Sequence, residues 1–156
     1  NMEKLRLDLN GLHEYQQNRY PYLLIDIAEE VIPGKSARGY KNLIDDDWWF
    51  EVHFPGDPNM PGALQIEAMV QLGALMVTTL PGNKGKVVYL ISANNLKLMK
   101  KILPGDRLDL ETELLSWKRG MGKCSGAGYV NGEKVCCIDF NIVMPHILEE
   151  YKVKNK

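Results

Sequence analysis

One stretch, Gly62 to Leu80, constrains this chain more than any other. Ala63, Leu64, Ile66, Ala68, Met69, Val70, Leu72, Ala74, Leu75, Met76 and Val77 follow one another so closely that, wound as a helix, they cover nearly every face. A helix that is apolar all round has to be buried. Pro61 stands where a first-turn proline is welcome, and Pro81-Gly82 stops the helix. The rest of the chain must therefore wrap it.

The flanking segments read as strands. Leu23, Ile25, Ile27 and Val31 share one face by period two, which predicts a strand over Leu23–Ile32. Pro33-Gly34 turns it into a weaker antiparallel partner, Lys35–Leu43. Val87–Ala93 is apolar and β-rich, and Pro104-Gly105-Asp106 is a turn. Leu108, Leu110, Thr112 and Leu114 alternate, Gly120-Met121-Gly122 predicts a hairpin turn, and Asn131-Gly132 is the strongest hairpin signal present. In the last strand Cys136, Ile138, Phe140, Ile142 and Met144 face one way, Asp139 and Asn141 the other. Three shorter elements complete the reading. They are a helix over Asn10–Gln17 capped by Asn10, an aromatic turn at Trp48-Trp49-Phe50 capped by Asp45–Asp47, and a polar tail from His146 that frays or forms a short helix. The simplest arrangement is an α+β fold, an antiparallel β-sheet curled around one long central helix. A single curved sheet of this size cannot cover such a helix on all sides. Burial alone therefore predicts a homodimer.

The 156 residues suit one domain, 1–156. With 19 basic and 20 acidic side chains the net charge is −1, which argues against a nucleic-acid or membrane coat. No apolar run reaches the roughly 18–20 residues of a membrane span, and Asn1–Asn10 has no apolar signal core. Cys124, Cys136 and Cys137 are odd in number and lack C-x-x-C spacing. They read as small hydrophobes in strands, in a reduced, cytoplasmic compartment.

Few residues are placed to do chemistry. Glu67 is the single carboxylate of the apolar helix, and Gln71 lies one turn on, on the same face. A lone buried carboxyl is costly to ionise. The pattern alone leaves two readings, an acid of raised pKa or a structural glutamate reaching solvent at the helix edge. His53 opens a proline- and glycine-rich loop that runs into the helix, so the imidazole is held, as a general base requires. Taken alone it reads equally as a structural histidine. His13 and His146 lie in polar segments and read as surface residues. Gly62, at the helix N-terminus, allows close approach to unpaired N–H groups. Base, acid and oxyanion donor fall within one short stretch, and the combination says more than any member. Metal-ligand spacing, nucleotide-binding glycine loops and a G-x-S-x-G serine are all missing from the sequence.

The run His53-Phe54-Pro55-Gly56-Asp57-Pro58-Asn59-Met60-Pro61-Gly62-Ala63-Leu64-Gln65-Ile66-Glu67-Ala68-Met69-Val70-Gln71 closely resembles the signature H-F-P-x-x-P-x-x-P-G-x-x-x-x-E-A-x-x-Q of the bacterial 3-hydroxyacyl-acyl-carrier-protein dehydratases, FabZ type. Arg19-Tyr20-Pro21-Tyr22-Leu23-Leu24-Ile25-Asp26 is similar to that family's R-Y-P-F-L-L-x-D, and Pro104-Gly105-Asp106 and Gly120-Met121-Gly122-Lys123 match its later turns. The resemblance covers about 12–144. Five positions depart from it. Asn18 stands for a histidine, Val52 for a small residue and Asn59 for a common valine, while Leu98-Met99 interrupt a segment usually aromatic and arginine-rich. Val52 and Asn59 flank the site and bear on acyl-chain preference more than on reaction type.

The resemblance implies a hot-dog fold and dimers, often assembled as trimers of dimers, in which each site takes its histidine from one subunit and its glutamate from the other. It implies reversible dehydration of a 3-hydroxyacyl thioester in fatty-acid biosynthesis, with His53 as base and Glu67 as acid. The Gly62 N–H serves the thioester oxygen. Gln71 orients Glu67, and a loop carbonyl such as that of Asn59, also a substrate-binding candidate, fixes the His53 tautomer. No dissociable cofactor is expected, since the substrate rides on the phosphopantetheine arm of acyl carrier protein. That partner is acidic, so Lys97, Lys100 and Lys101 are docking candidates, against the plain alternative of a solvated strand edge. Related readings are a dehydratase that also isomerises, a coenzyme A thioester enzyme, or a non-catalytic acyl-binding subunit. Glutamate at position 67 favours the plain dehydratase, because the isomerising relatives typically carry aspartate.

Overall fold

The structure, a computed structural model, describes residues 3–154. In chain order the elements are β1 (Leu5–Leu7), α1 (Leu9–Tyr15), β2 (Ile27–Ile32), β3 (Ser36–Asn42), α2 (Trp48–Val52), α3 (Gly62–Thr78), β4 (Tyr89–Leu98), β5 (Arg107–Lys118), β6 (Met121–Val130), β7 (Glu133–Val143) and α4 (Pro145–Lys154). The strands form one antiparallel sheet in the order β1-β2-β3-β5-β6-β7-β4. The sheet curls around α3, so the α+β wrapping expected from the all-round apolar helix is what the chain adopts.

Leu72, Leu75 and Met76 of α3 are fully buried in one core with Val31, Ala37, Leu108, Leu110, Ile138, Phe140 and Ile142 of the sheet. The period-two face of β7 faces this core as expected. Two glycines show how closely the layers meet. A Cβ on Gly73 would lie 2.8 Å from Phe140 Cζ, and one on Gly39 would lie 2.6 Å from the Ile27 carbonyl oxygen. Phe140 can give a little, but a backbone carbonyl in a paired strand cannot. Gly39→Ala is therefore expected to destabilise the fold by about 1–3 kcal/mol, readable as a lowered urea midpoint at unchanged m-value.

Several boundaries differ from the sequence reading. The strand expected over Leu23–Ile32 begins only at Ile27, because the Leu24 N–H goes to the Gln71 side chain instead of a ladder partner. An irregularity between Ile27 and Glu30 then resets the alternation, so that Ala28 and Val31 face the core. The first helix is capped by Asp8, whose Oδ1 accepts from the Gly11 N–H at 3.1 Å, and Asn10 lies inside it. Asp47 precedes α2, but its carboxylate takes the Ile44 N–H and closes the turn before the helix. The first tight hairpin turns on Arg119-Gly120, both at positive φ, one residue before the expected glycine pair, while Asn131-Gly132 turns as expected. β1 pairs with β2 and carries ordered structure outside the 12–144 core. The polar tail forms α4, and its last two residues lie outside the described ones, as do Asn1 and Met2 at the head of the segment read for a signal core.

β4 borders the flank of α3 that carries Glu67. It is bonded to β7 along one edge, and all ten of its residues are exposed, Tyr89, Leu90, Ile91, Leu96 and Leu98 among them. It is also longer than the expected Val87–Ala93. The open flank of α3, at Ala63, Ile66 and Glu67, is at the helix's N-terminal end, where Leu98 of β4 packs on Gly62.

Candidate active site

His53 ends α2 and begins the loop that leads into α3. Three prolines stiffen that loop, and its own hydrogen bonds close it. Phe54 and Asp57 exchange N–H···O bonds at 2.8 Å each, and the Asn59 N–H donates to the His53 carbonyl at 2.9 Å. The imidazole is fixed from two sides. Its Nδ1 lies 2.8 Å from the Asn59 carbonyl oxygen, and its ring packs on Phe54 with centroids 4.1 Å apart. A carbonyl can only accept, so Nδ1 bears the proton and Nε2 of the neutral ring keeps its lone pair. That is the tautomer a base needs.

The Asn59 Oδ1 accepts from the Ile102 N–H at 3.0 Å, which ties the residue to the segment after β4. Gly62 stands in the first turn of α3, and Pro61 before it offers no side-chain cap. A Cβ there would lie 2.5 Å from Leu98 Cδ1. Glycine at 62 thus lets β4 close on the helix and leaves first-turn N–H groups uncapped at its positive end.

Glu67 is half-buried on α3, and burial pushes its carboxyl above the ordinary glutamate range. The Gln71 amide opposes this weakly, its Nε2 being 3.5 Å from Glu67 Oε1. Gln71 has firmer partners. It is 3% exposed, donates to the Tyr22 carbonyl at 2.8 Å and accepts from the Leu24 N–H at 2.8 Å. It holds the segment before β2 onto the helix first, and touches Glu67 second. Gln71→Leu is therefore expected to leave two backbone groups unpaired and destabilise the fold by about 1–3 kcal/mol, seen as a lowered Tm. Tyr22 was not singled out from the sequence. Burial raises its hydroxyl pKa and the Glu67 carboxylate raises it further, which puts it within electrostatic reach of that group. Its signal lay in the Tyr20–Asp26 run, read only as a match to a pattern.

Glu67 lines a cleft of about 410 Å³ whose floor is Val70, Gln71, Ala74 and Thr78 of α3 and whose walls include Asn18 and Val87–Leu90. His53 is not among its walls. The three lysines do not form a common free patch. Lys100 pairs with Glu133 at 2.8 Å and Lys101 with Asp57 at 2.7 Å, while Lys97 lines a cleft on the outer face of the sheet. Burial pushes the Cys124 thiol up to about 12 and Cys136 up to about 11, so both behave as the small hydrophobes expected. No group of three or more His, Cys, Asp or Glu among the described residues is placed to hold a metal ion, and no described helix is long and apolar enough to cross a membrane.

Comparison with known proteins converges on one family. A FabA-like domain matches residues 17–139. The 3-hydroxyacyl-acyl-carrier-protein dehydratase FabZ of Clostridium novyi is 42% identical over 130 residues, covering 83% of this chain and 92% of that protein. The FabZ of Bacillus subtilis is 36% identical over 138 residues, covering 88% and 98%. Among solved structures, the dehydratase heterocomplex ApeI:P from Xenorhabdus doucetiae superposes with a TM-score of 0.76 at 17% identity, over 93% of this chain and 97% of that one, a likeness of fold. An uncapped helix start, a histidine of fixed tautomer, a half-buried glutamate and these matches agree. The chain belongs to the FabA-like family and, within it, to the 3-hydroxyacyl-acyl-carrier-protein dehydratases.

Proposed function

We propose that this protein dehydrates 3-hydroxyacyl thioesters carried on acyl carrier protein to trans-2-enoyl thioesters, in fatty-acid biosynthesis and in the cytoplasm. The observation that carries the reading is the complementary state of its two groups. His53 has Nδ1 engaged and Nε2 free, and Glu67 is driven toward its protonated form. His53 Nε2 takes the proton from C2, and the electron pair moves toward the thioester carbonyl. The Gly62 N–H and the positive end of α3 stabilise the charge that develops on that oxygen. Glu67 gives its proton to the C3 hydroxyl, which leaves as water as the C2=C3 bond forms. The thioester itself acidifies the C2 proton, so no dissociable cofactor is required.

Each site takes His53 from one subunit and Glu67 from its partner. The absence of His53 from the Glu67 cleft supports this, as does the open, apolar edge of β4 beside the uncovered flank of α3. An added strand on that edge would bury both. Whether dimers assemble further into trimers of dimers is read from the solution mass. The test is hydration of crotonyl thioester on carrier protein and on coenzyme A, followed by loss of enoyl absorbance. His53→Ala and Glu67→Gln subunits, each inactive, are then unfolded together and refolded. Random pairing restores one intact site in half the dimers, so about a quarter of wild-type turnover returns. No return of activity in a mixture shown to contain mixed dimers sinks the shared site.

Lys97, Lys100 and Lys101 remain the proposed docking residues for the acidic carrier. Reversing all three charges is expected to raise KM for the carrier-bound substrate several-fold and to steepen nothing for a pantetheine substrate, in a salt-dependent way.

A further inference from the structure

We infer that the end of the Glu67 cleft farthest from Glu67 is a subsite for an oxygen function on the tail of the acyl chain, with Thr78 and Asn18 as its specificity-determining residues. This rests on the dehydratase reading above, which puts the 3-hydroxyl at Glu67. The cleft floor follows one stripe of α3, since Glu67, Gln71, Ala74 and Thr78 stand at i, i+4, i+7 and i+11. The helix advances about 16 Å over those eleven positions. A tail of about a dozen zigzag carbons, each C–C bond about 1.5 Å long, spans that distance. The middle of the floor is apolar, at Val70 and Ala74, and its end carries the Thr78 hydroxyl. Thr78 is 1% exposed and its Oγ1 has no hydrogen-bond partner, whereas the Thr79 hydroxyl beside it donates to the Leu75 carbonyl at 2.6 Å. Two other buried side-chain atoms among the described residues lack a partner, on Trp49 and Gln65, and neither residue lines the cleft. A hydroxyl buried without a partner costs stability.

Asn18 adds a second polar group to the same end. The Gln17 amide donates to the Gly85 carbonyl and Lys84 pairs with Glu14 at 3.3 Å, so the segment before β2 crosses the chain that follows α3. Gln16, 4% exposed, grips the Asn18 backbone on both sides. Its Oε1 accepts from the Asn18 N–H at 2.7 Å, and its Nε2 donates to the Asn18 carbonyl at 3.2 Å. The Asn18 side chain lines the cleft and makes no hydrogen bond among the described residues. Lys86, also a lining residue, puts a cation at the rim with no ion pair among them. All three groups can donate a hydrogen bond. A methyl-ended tail gives the Thr78 hydroxyl nothing and strips water from the Asn18 amide. A tail ending in an acceptor oxygen satisfies both.

The test uses 3-hydroxyacyl pantetheine thioesters of about 12–16 carbons, their tails ending in methyl, hydroxyl or carboxylate. Binding is measured by calorimetry on full-length His53→Ala, which leaves them intact, and kcat/KM is measured with His53 in place. Both oxygen-ended chains are expected to bind about 10–100-fold tighter than the methyl-ended chain of equal length, as two added hydrogen bonds give. Thr78→Val keeps the shape and removes only the hydroxyl. It and Asn18→Leu should each cut the preference several-fold, in binding and in kcat/KM, and leave the methyl-ended chain bound as before. Lys86→Met should weaken the carboxylate-ended chain alone, which tells the two oxygen functions apart. Thr78→Val should melt no lower than wild type, because the hydroxyl it removes holds nothing in the free protein. The subsite is refuted if the methyl-ended chain binds as tightly as the other two, or if the preference survives Thr78→Val. A lower Tm for Thr78→Val also refutes it, by showing that the hydroxyl already has a structural partner. Binding is read without turnover. A protein that prefers the oxygen-ended tails but turns over no chain loses the dehydratase reading and keeps the subsite. One that dehydrates all three chains alike keeps the dehydratase reading and loses the subsite.

Discussion

Replacing His53 with alanine is expected to lower turnover of a 3-hydroxyacyl thioester by about 10²–10⁴-fold and to leave the fold and KM close to wild type. The size follows from what is removed. His53 is the one imidazole whose Nδ1 is held by a loop carbonyl at the mouth of α3. Neither other histidine can stand in. His13 lies in α1, and His146 lies in α4 beside Glu150. The stability cost should be small, because the ring is half-exposed and its partner is a single carbonyl that water can serve. The loop keeps its remaining bonds through Asn59, Met60 and Gln65. Steady-state kinetics on wild type and variant, with thermal melts of both, check the expectation. Added imidazole should recover part of the lost rate by taking up the vacated volume. A variant that keeps more than a tenth of wild-type turnover would remove His53 from the base role.

The same loop shows what a sequence reveals and what it hides. The helix α3 was legible because apolar residues on every face admit only burial, and Pro61 and Pro81-Gly82 mark its ends to within two residues. The inward face of β7 was legible because strict alternation has one meaning in a half-covered sheet. That His53 would be held followed from the stiffness of a proline-rich loop, while its carbonyl partner came with the family resemblance. The hidden parts depend on bonds between distant residues. The Gln71 side chain takes the Leu24 N–H across 47 positions, and this turns an expected strand into irregular chain. Ile102 and Asn59 are 43 apart, and nothing local to either marks the bond. Lys100 and Lys101 looked like free cations until Glu133 and Asp57 came to meet them. Tyr22 sits near Glu67 only because Gln71 pins its carbonyl to the helix. Local pattern thus marked His53 and Glu67 as candidates, the family resemblance gave them their proposed roles, and long-range side-chain-to-backbone bonds decide how they are held.

Glu67→Gln is expected to abolish dehydration, again by 10²–10⁴-fold, and to make the protein more stable at neutral and alkaline pH. The two effects have one cause. Burial holds the Glu67 carboxyl above its ordinary range, so the folded protein binds a proton there more tightly than the unfolded chain does. Below the unfolded value, near pH 4.3, the group is neutral in both states and has no effect on stability. As pH rises from there to the higher folded value, the unfolded chain sheds its proton first and stability falls. Above the folded value the loss is complete and constant. Glutamine has the same size, keeps an oxygen for the Gln71 contact and never ionises, so it carries none of this penalty. The Tm of the variant should match wild type near pH 4, rise above it through the window between the two pKa values, and hold a fixed lead above that. Activity falls with pH as well in wild type, which loses its acid as pH climbs through the folded value, giving the alkaline limb of the kcat profile. Melts of both proteins from pH 4 to 9, beside that profile, test the link. A variant less stable than wild type at pH 8 would mean that the ionised carboxylate is favourably held, and Glu67 could not then be the acid.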